Sequence, residues 1–166
     1  PEHAILASNT SGLSIAAMSE DLPASLQERF VVLHFFNPVR YMHLLEVVPG
    51  PKTSDDTMKR SQALGDLLGK GVVYGKDTTN FIGNRGGTYG LMKTMQLMEK
   101  HELSIEEVDK IVGQPMGRPK SAAFKTGDIV GIDTFCHVAK NCYDSLTDDP
   151  ERDVFDMPKW VLGLVE

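Results

Sequence analysis

Phe30-Val31-Val32-Leu33-His34-Phe35-Phe36-Asn37-Pro38 is the stretch that decides the fold. Its β-branched and aromatic side chains favour extended backbone, and the Asn-Pro pair stops it. Leu44-Leu45-Glu46-Val47-Val48, closed by Pro49-Gly50, predicts a second strand. Joined through residues 37–43, the two strands would pair antiparallel. Toward the N-terminus, residues 4–7 (Ala-Ile-Leu-Ala) predict a short strand, and residues 14–18 a helical turn ending near Pro23. Toward the C-terminus, Ser54 would cap a helix whose apolar residues are Met58, Leu64, Leu67 and Leu68, with Gly69 and Gly71 ending it. Val72-Val73-Tyr74 predicts another strand, and strand character stops near residues 77–80.

The rest reads as helix. Residues 81–100 predict one long helix with Leu91, Met92, Met95 and Met98 as its apolar stripe. Ser104-Ile105-Glu106-Glu107 is a capping-box pattern opening a helix through Ile111. Residues 117–120 form a loop, and residues 128–145 predict a helix with Ile132, Phe135, Val138, Ala139 and Cys142 on one side. Residues 147–153 form an acidic linker, and Pro158 opens a last helix anchored by Trp160, Leu162 and Val165. The fold class is therefore mixed α/β followed by all-α.

Composition narrows the function. The chain has 166 residues, 41% of them apolar and 24% charged. That fits a globular chain and excludes disorder, collagen and a disulfide scaffold. A net charge of −6 disfavours a nucleic-acid partner. No apolar run is long enough to span a membrane. Two cysteines, six residues apart at 136 and 142, make no disulfide framework and no metal site, so a reducing cytoplasm fits best. The chain starts at Pro1 rather than Met and stops at Val165-Glu166 inside an apolar segment, so the expectation is a fragment.

Three places offer chemistry: the two central strands, the loop after the first strand, and the start of the long helix. His34 lies on the strand face opposite Leu33 and Phe35, and Glu46 follows twelve residues on. A lone strand histidine is commonly a structural residue. Beside a carboxylate, however, its tautomer would be fixed and its protonated form favoured, the condition for general acid–base work. Ser8-Asn9-Thr10-Ser11-Gly12 follows the first strand and would either cap the next helix or bond a ligand. Asn84 falls in the first turn of the long helix, where it would serve as a helix-start residue or hold an oxygen. Gly86, Gly87 and Gly90 each cost that helix about 1 kcal/mol relative to Ala. They make sense where another helix or a ligand approaches closely.

Taken in order, Ser8-Asn9-Thr10-Ser11, Leu33-His34-Phe35-Phe36-Asn37-Pro38-Val39, Leu45-Glu46-Val47-Val48 and Lys76-Asp77-Thr78 with Phe81-Ile82 and Asn84-Arg85 resemble the L-3-hydroxyacyl-CoA dehydrogenases. Gly117-Arg118-Pro119-Lys120-Ser121-Ala122 and Gly131-Ile132-Asp133-Thr134 resemble the long bacterial multifunctional type, in which an enoyl-CoA hydratase-like region accompanies the dehydrogenase. The resemblance implies residues 1–77 as the remainder of a Rossmann-type NAD-binding domain and 78–166 as the helical substrate-binding and dimerisation domain. It implies His34 as the catalytic base and Glu46 as its carboxylate partner. Ser11 would lie near the substrate oxygen and the nicotinamide, Asn84 near the substrate oxygen, and Asn37 at the nicotinamide end of NAD. The implied reaction is oxidation of the 3-hydroxyl of an acyl-CoA by NAD in fatty-acid β-oxidation, by a cytoplasmic homodimer with a thiolase partner.

Three departures stand out. The family's Pro-Gly before Phe-Ile is replaced by Thr79-Asn80, so the start of the long helix is expected to be shaped differently. Gly12 stands where a second Ser is common. No Gly-x-Gly-x-x-Gly occurs anywhere, so the chain by itself is expected to be inactive. The rival expectation is a non-catalytic helical dimerisation or acyl-binding module. A third is the helical domain of another hydroxyacid dehydrogenase, although those commonly use a lysine base.

Overall fold

The computed structural model describes residue 1 and residues 3–164, so the expected anchoring by Val165 lies outside the described residues. The chain divides into two compact units, Pro1–Gly83 and Asn84–Glu166.

The first unit is a four-stranded sheet with helices. β1 (Leu6–Ser8) is followed by α1 (Ile15–Ser19) and α2 (Ala24–Gln27), then β2 (Phe30–Phe35) and β3 (Leu44–Pro49). α3 (Asp55–Leu67) leads to β4 (Gly71–Tyr74). The sheet order is β1-β2-β3-β4. β1 runs parallel to β2, β2 antiparallel to β3, and β3 parallel to β4. The first strand begins two residues later than its apolar run suggested, and the short α2 behind Pro23 carried no periodic signal.

β2 and β3 are buried on both faces, as their unbroken apolar runs require. Val32 and Val48 pack with Ile15, Phe30 and Phe81 on one face. Val31, Leu33, Leu45 and Val47 pack on the other, against Met58 and Val72.

α3 is capped by Ser54 as expected, but its inward face is not the leucine face. The buried residues are Thr57, Ser61 and Gly65, while Leu67 is 83% exposed and Leu64 and Leu68 are also exposed. The cause is close approach. A Cβ on Gly65 would come within 2.3 Å of Val72 Cγ2, so only small residues fit between this helix and the sheet. Gly71 belongs to β4 rather than to the end of the helix, and Gly69 alone makes the left-handed turn (φ 66°).

The second unit is helical. α4 (Gly83–Lys100), whose first residue closes the first unit, is followed by α5 (Ile105–Val112) with its capping box formed, and a 3-10 turn at Gln114–Met116. α6 (Phe124–Val130) and α7 (Ile132–Ser145) come next, then a 3-10 turn at Arg152–Phe155 and α8 (Lys159–Leu162). Met92, Met95, Phe135, Ala139, Val154 and Val161 form its core. The single helix expected over residues 128–145 is broken at Gly131, whose φ of 98° no helix accommodates. Phe81 is not helical; it sits in the turn before α4 with φ 47°.

Candidate active site

The antiparallel register places His34 directly opposite Glu46. His34 Nδ1 lies 2.6 Å from Glu46 Oε2. An ionised carboxylate only accepts, so Nδ1 carries the proton and donates. The other carboxylate oxygen, Oε1, accepts from the backbone amides of Ile82 (2.9 Å) and Gly83 (2.7 Å). His34 is 3% exposed and Glu46 fully buried. Burial pushes the Glu46 carboxyl upward, but the His34 bond and the two amides outweigh it, and its pKa stays below the ordinary 4.5. Glu46 is therefore a buried anion at neutral pH, compensated on both oxygens.

This arrangement leaves Nε2 as the unprotonated ring nitrogen of the neutral side chain. Nε2 is the ring nitrogen that Glu46 does not engage. The imidazole is flanked by the Phe36 ring, with centroids 4.5 Å apart, and by the Phe81 ring at 5.7 Å.

The loop after β1 is tied to the same strand end. Asn9 Oδ1 accepts from the Phe35 amide at 2.9 Å, one residue beyond His34. Ser8 Oγ and Thr10 Oγ1 accept from loop amides at Thr10 and Leu13, so these two residues act as local turn formers. At its far end, Asp77 accepts from the Ile15 and Ala16 amides (both 2.9 Å) and from the Ser14 hydroxyl (3.1 Å). Ser11 lies between these anchors and is exposed. Asn37 is exposed in the segment after β2. That segment is held by the Lys70 ammonium, which donates to the Val39 and Met42 carbonyls.

Of the candidate residues, then, His34 and Glu46 are brought into contact. Ser11 and Asn37 follow the carboxyl ends of the parallel pair β1 and β2, the place where open α/β sheets bind ligands. Neither bonds to His34 or Glu46. Asn84 stands half-buried in the first turn of α4, in the second unit. The segment Thr79-Asn80 lies in the turn before α4. Asn80 has φ 57°, a left-handed conformation that Gly adopts freely and Asn tolerates better than most residues.

Asn9, Lys70 and Asp77 were not singled out as supports of the site. Their partners are tens of residues away, and only the Lys-Asp-Thr motif around Asp77 hinted at a role. Among the described residues no cluster of His, Cys, Asp or Glu could hold a metal ion.

The sheet with its histidine–carboxylate pair and the helical second unit make a two-part chain. Its first part, residues 1–78, matches the family described as "3-hydroxyacyl-CoA dehydrogenase, NAD binding domain", and residues 81–166 match "3-hydroxyacyl-CoA dehydrogenase, C-terminal domain". The chain belongs to the 3-hydroxyacyl-CoA dehydrogenase family.

Among curated relatives, it is 49% identical over 163 residues to a "Probable 3-hydroxyacyl-CoA dehydrogenase" of Bacillus subtilis, covering 98% of this chain and 20% of that protein. It is 37% identical over 153 residues to the human mitochondrial hydroxyacyl-coenzyme A dehydrogenase, covering 90% of this chain and 46% of that one. The chain therefore spans between a fifth and about half of these relatives. Among solved structures, FadB2 of M. tuberculosis superposes with a TM-score of 0.85 at 28% identity, over 99% of this chain and 56% of that one. The (S)-3-hydroxybutyryl-CoA dehydrogenase PaaH1 of Ralstonia eutropha gives 0.83 at 28%, over 97% and 54%.

Proposed function

We propose that this chain carries the catalytic pair of an NAD-dependent L-3-hydroxyacyl-CoA dehydrogenase that oxidises 3-hydroxyacyl-CoA to 3-ketoacyl-CoA in fatty-acid β-oxidation. The observation that carries this reading is the His34–Glu46 pair, with Nδ1 committed to the carboxylate and Nε2 not engaged by it. Nε2 takes the proton of the substrate hydroxyl as the hydrogen on C3 leaves as hydride. Glu46, already ionised, stabilises the imidazolium that results. In the reverse direction the imidazolium returns the proton to the carbonyl oxygen. Asn84 and the Ser11 hydroxyl are the donors assigned to the substrate oxygen.

NAD, when bound, supplies the hydride acceptor. The Ser11 hydroxyl and the Asn37 amide fit its carboxamide end. No segment of this sequence fits its pyrophosphate, since a glycine-rich turn between strand and helix is missing. β1 presents an unpaired outer edge, with Leu6 and Ala7 exposed. That edge suits the remaining strands of a nucleotide-binding sheet, because parallel strands are normally covered on both faces. The intact enzyme is accordingly longer than this chain and of the bacterial multifunctional type. Similarity at 33% and 35% identity to two Rickettsia proteins named as putative fatty acid oxidation complex trifunctional enzymes supports that assignment. It would be cytoplasmic and homodimeric through the helical unit, with a thiolase as partner.

The test is acyl-CoA-dependent NAD reduction by the intact protein and by the 166-residue chain. The intact protein is expected to turn over, and His34→Gln to lower kcat by roughly 10²- to 10⁴-fold. The chain alone is expected to show no turnover. Full activity in the His34→Gln protein would overturn the assignment of the base. Activity in the isolated chain would overturn the requirement for a glycine-rich half. A non-catalytic acyl-binding module is the alternative, supported by an apolar groove of about 340 Å³ in the helical unit between Leu91, Met95, Phe124, Phe135 and Trp160. It predicts acyl-CoA binding without turnover in either protein.

A further inference from the structure

Two consecutive residues before α4 adopt left-handed backbone, Asn80 (φ 57°) and Phe81 (φ 47°). Asn is at home there, but a bulky aromatic residue is not. Strain of this kind persists only where surrounding contacts impose it, and it concentrates at functional sites. Phe81 packs into the core with Ile15, Phe30, Val32 and Val48, and the same turn reaches the histidine–carboxylate pair. The Phe81 ring is 2% exposed and meets the His34 imidazole edge-on, with centroids 5.7 Å apart and planes at 62°. The next two amides, of Ile82 and Gly83, donate to Glu46 Oε1. One turn therefore touches both members of the pair.

The Glu46 bond fixes one ring atom of His34. By itself it leaves the plane of the imidazole, and with it the direction of Nε2, free to swing. Aromatic neighbours remove that freedom, because edge and face contacts are directional. We propose that Phe81 is a positioning residue: its ring, held by the left-handed turn, sets the plane of His34 and so aims Nε2. The proposal rests on the dehydrogenase reading for its consequence in catalysis, but not for the contact itself.

Two measurements test it. In the wild-type chain, NMR is expected to show cross-peaks between the ring protons of Phe81 and those of His34, with a single His34 tautomer protonated at Nδ1. In the intact protein, Phe81→Leu is expected to keep the fold and lower kcat about tenfold or more. KM for acyl-CoA should stay within about twofold, and the His34 signals should become averaged. These effects distinguish aiming from core packing, which would alter stability and leave the kcat-to-KM split unmoved. A folded Phe81→Leu protein with kcat within twofold of wild type, or with His34 ring signals no more averaged than in wild type, overturns the proposal. If Phe81→Leu fails to fold, Phe81→Met takes the same readouts. If neither folds, the wild-type spectrum decides: missing cross-peaks overturn the proposal, and cross-peaks with one fixed tautomer support it. An intact wild-type protein without turnover would count against the dehydrogenase reading, while the spectra would still decide the ring contact.

Discussion

Glu46 is the residue on which the first unit's polar interior turns. Four partners meet at or beside it: the His34 ring, the Ile82 and Gly83 amides, and the Phe81 ring that braces the histidine. Its carboxyl is held below the ordinary 4.5, which has a consequence for stability against pH. A group whose folded pKa is depressed contributes stability above its unfolded value, and that contribution disappears as pH falls through the folded value. The wild-type unfolding midpoint should therefore drop as pH falls below about 4.5. Glu46→Gln should be less stable by about 1–3 kcal/mol at pH 7 and show a flatter profile on the acid side, measured by urea denaturation across pH. A Glu46→Gln profile parallel to wild type would refute the assignment of this acid sensitivity to Glu46. The pair was legible through the family resemblance; the interval alone left Glu46 readable as a solvated strand residue, because the connection over residues 36–43 does not by itself fix the register. The two amides on Oε1 were not, since nothing local marks a carboxylate as the partner of a backbone 36 residues away.

Elements show the same division between near and far. Ser54 and Ser104 cap α3 and α5 as the sequence indicates, because an N-cap bonds within three residues of itself, whereas Ser14, read as part of a helical turn, caps α1. In sequence, Glu106, Glu107 and Asp109 on α5 read as a solvated helix face. Instead the Asp109 carboxylate accepts from the amides of Ala123, Phe124 and Lys125 and caps α6 from the neighbouring helix. Glycines divide likewise. A Cβ on Gly83 would meet Phe36 Cζ at 2.5 Å and Cε1 at 2.9 Å, whereas one on Gly86, Gly87 or Gly90 meets nothing within 4 Å. Close approach thus explains Gly83 but, among the described residues, not the other three. Gly83→Ala should destabilise by about 1–3 kcal/mol through overpacking against Phe36. Gly86→Ala should instead stabilise by roughly 0.5–1 kcal/mol, as the removal of helix-interior glycine does. Denaturation of both variants checks the pair. If the open glycine face admits substrate, Gly86→Ala will also raise KM while stabilising, and an unchanged KM would remove that reason for the glycine.

At the scale of the whole molecule, the two units are stabilised differently. The first is a sheet core whose polar exceptions are paired. The second is built on α4, whose Arg85, Tyr89 and Lys93 recur every fourth residue and bond Asp149 and Glu151. The Tyr89 hydroxyl and the Lys93 ammonium hold the Glu151 carboxyl below its ordinary range. The acidic linker expected at residues 147–153 is therefore pinned to α4 and includes the start of a 3-10 turn. Its charge complementarity with α4 was present in the sequence, but contact between the two segments depends on the helices folding back. This unit also leaves apolar side chains uncovered. Ile129 is 71% exposed and Val130 is exposed beside it, at the end of α6, and Ile105 and Leu164 are exposed as well. Scattered exposed apolar residues are ordinary, but several on one helical unit without a partner suit an isologous interface. The proposed homodimer then makes a definite prediction. Sedimentation of the wild-type chain should show a concentration-dependent shift from monomer to dimer, and Ile129→Glu should move it toward monomer without lowering helicity. The substitution places a charge where the partner's apolar surface would have to desolvate it, a penalty paid only in the dimer. A wild-type chain that stays monomeric across the concentration range would rule out self-association through this unit alone. A dimer unaffected by Ile129→Glu would place the interface on a different face.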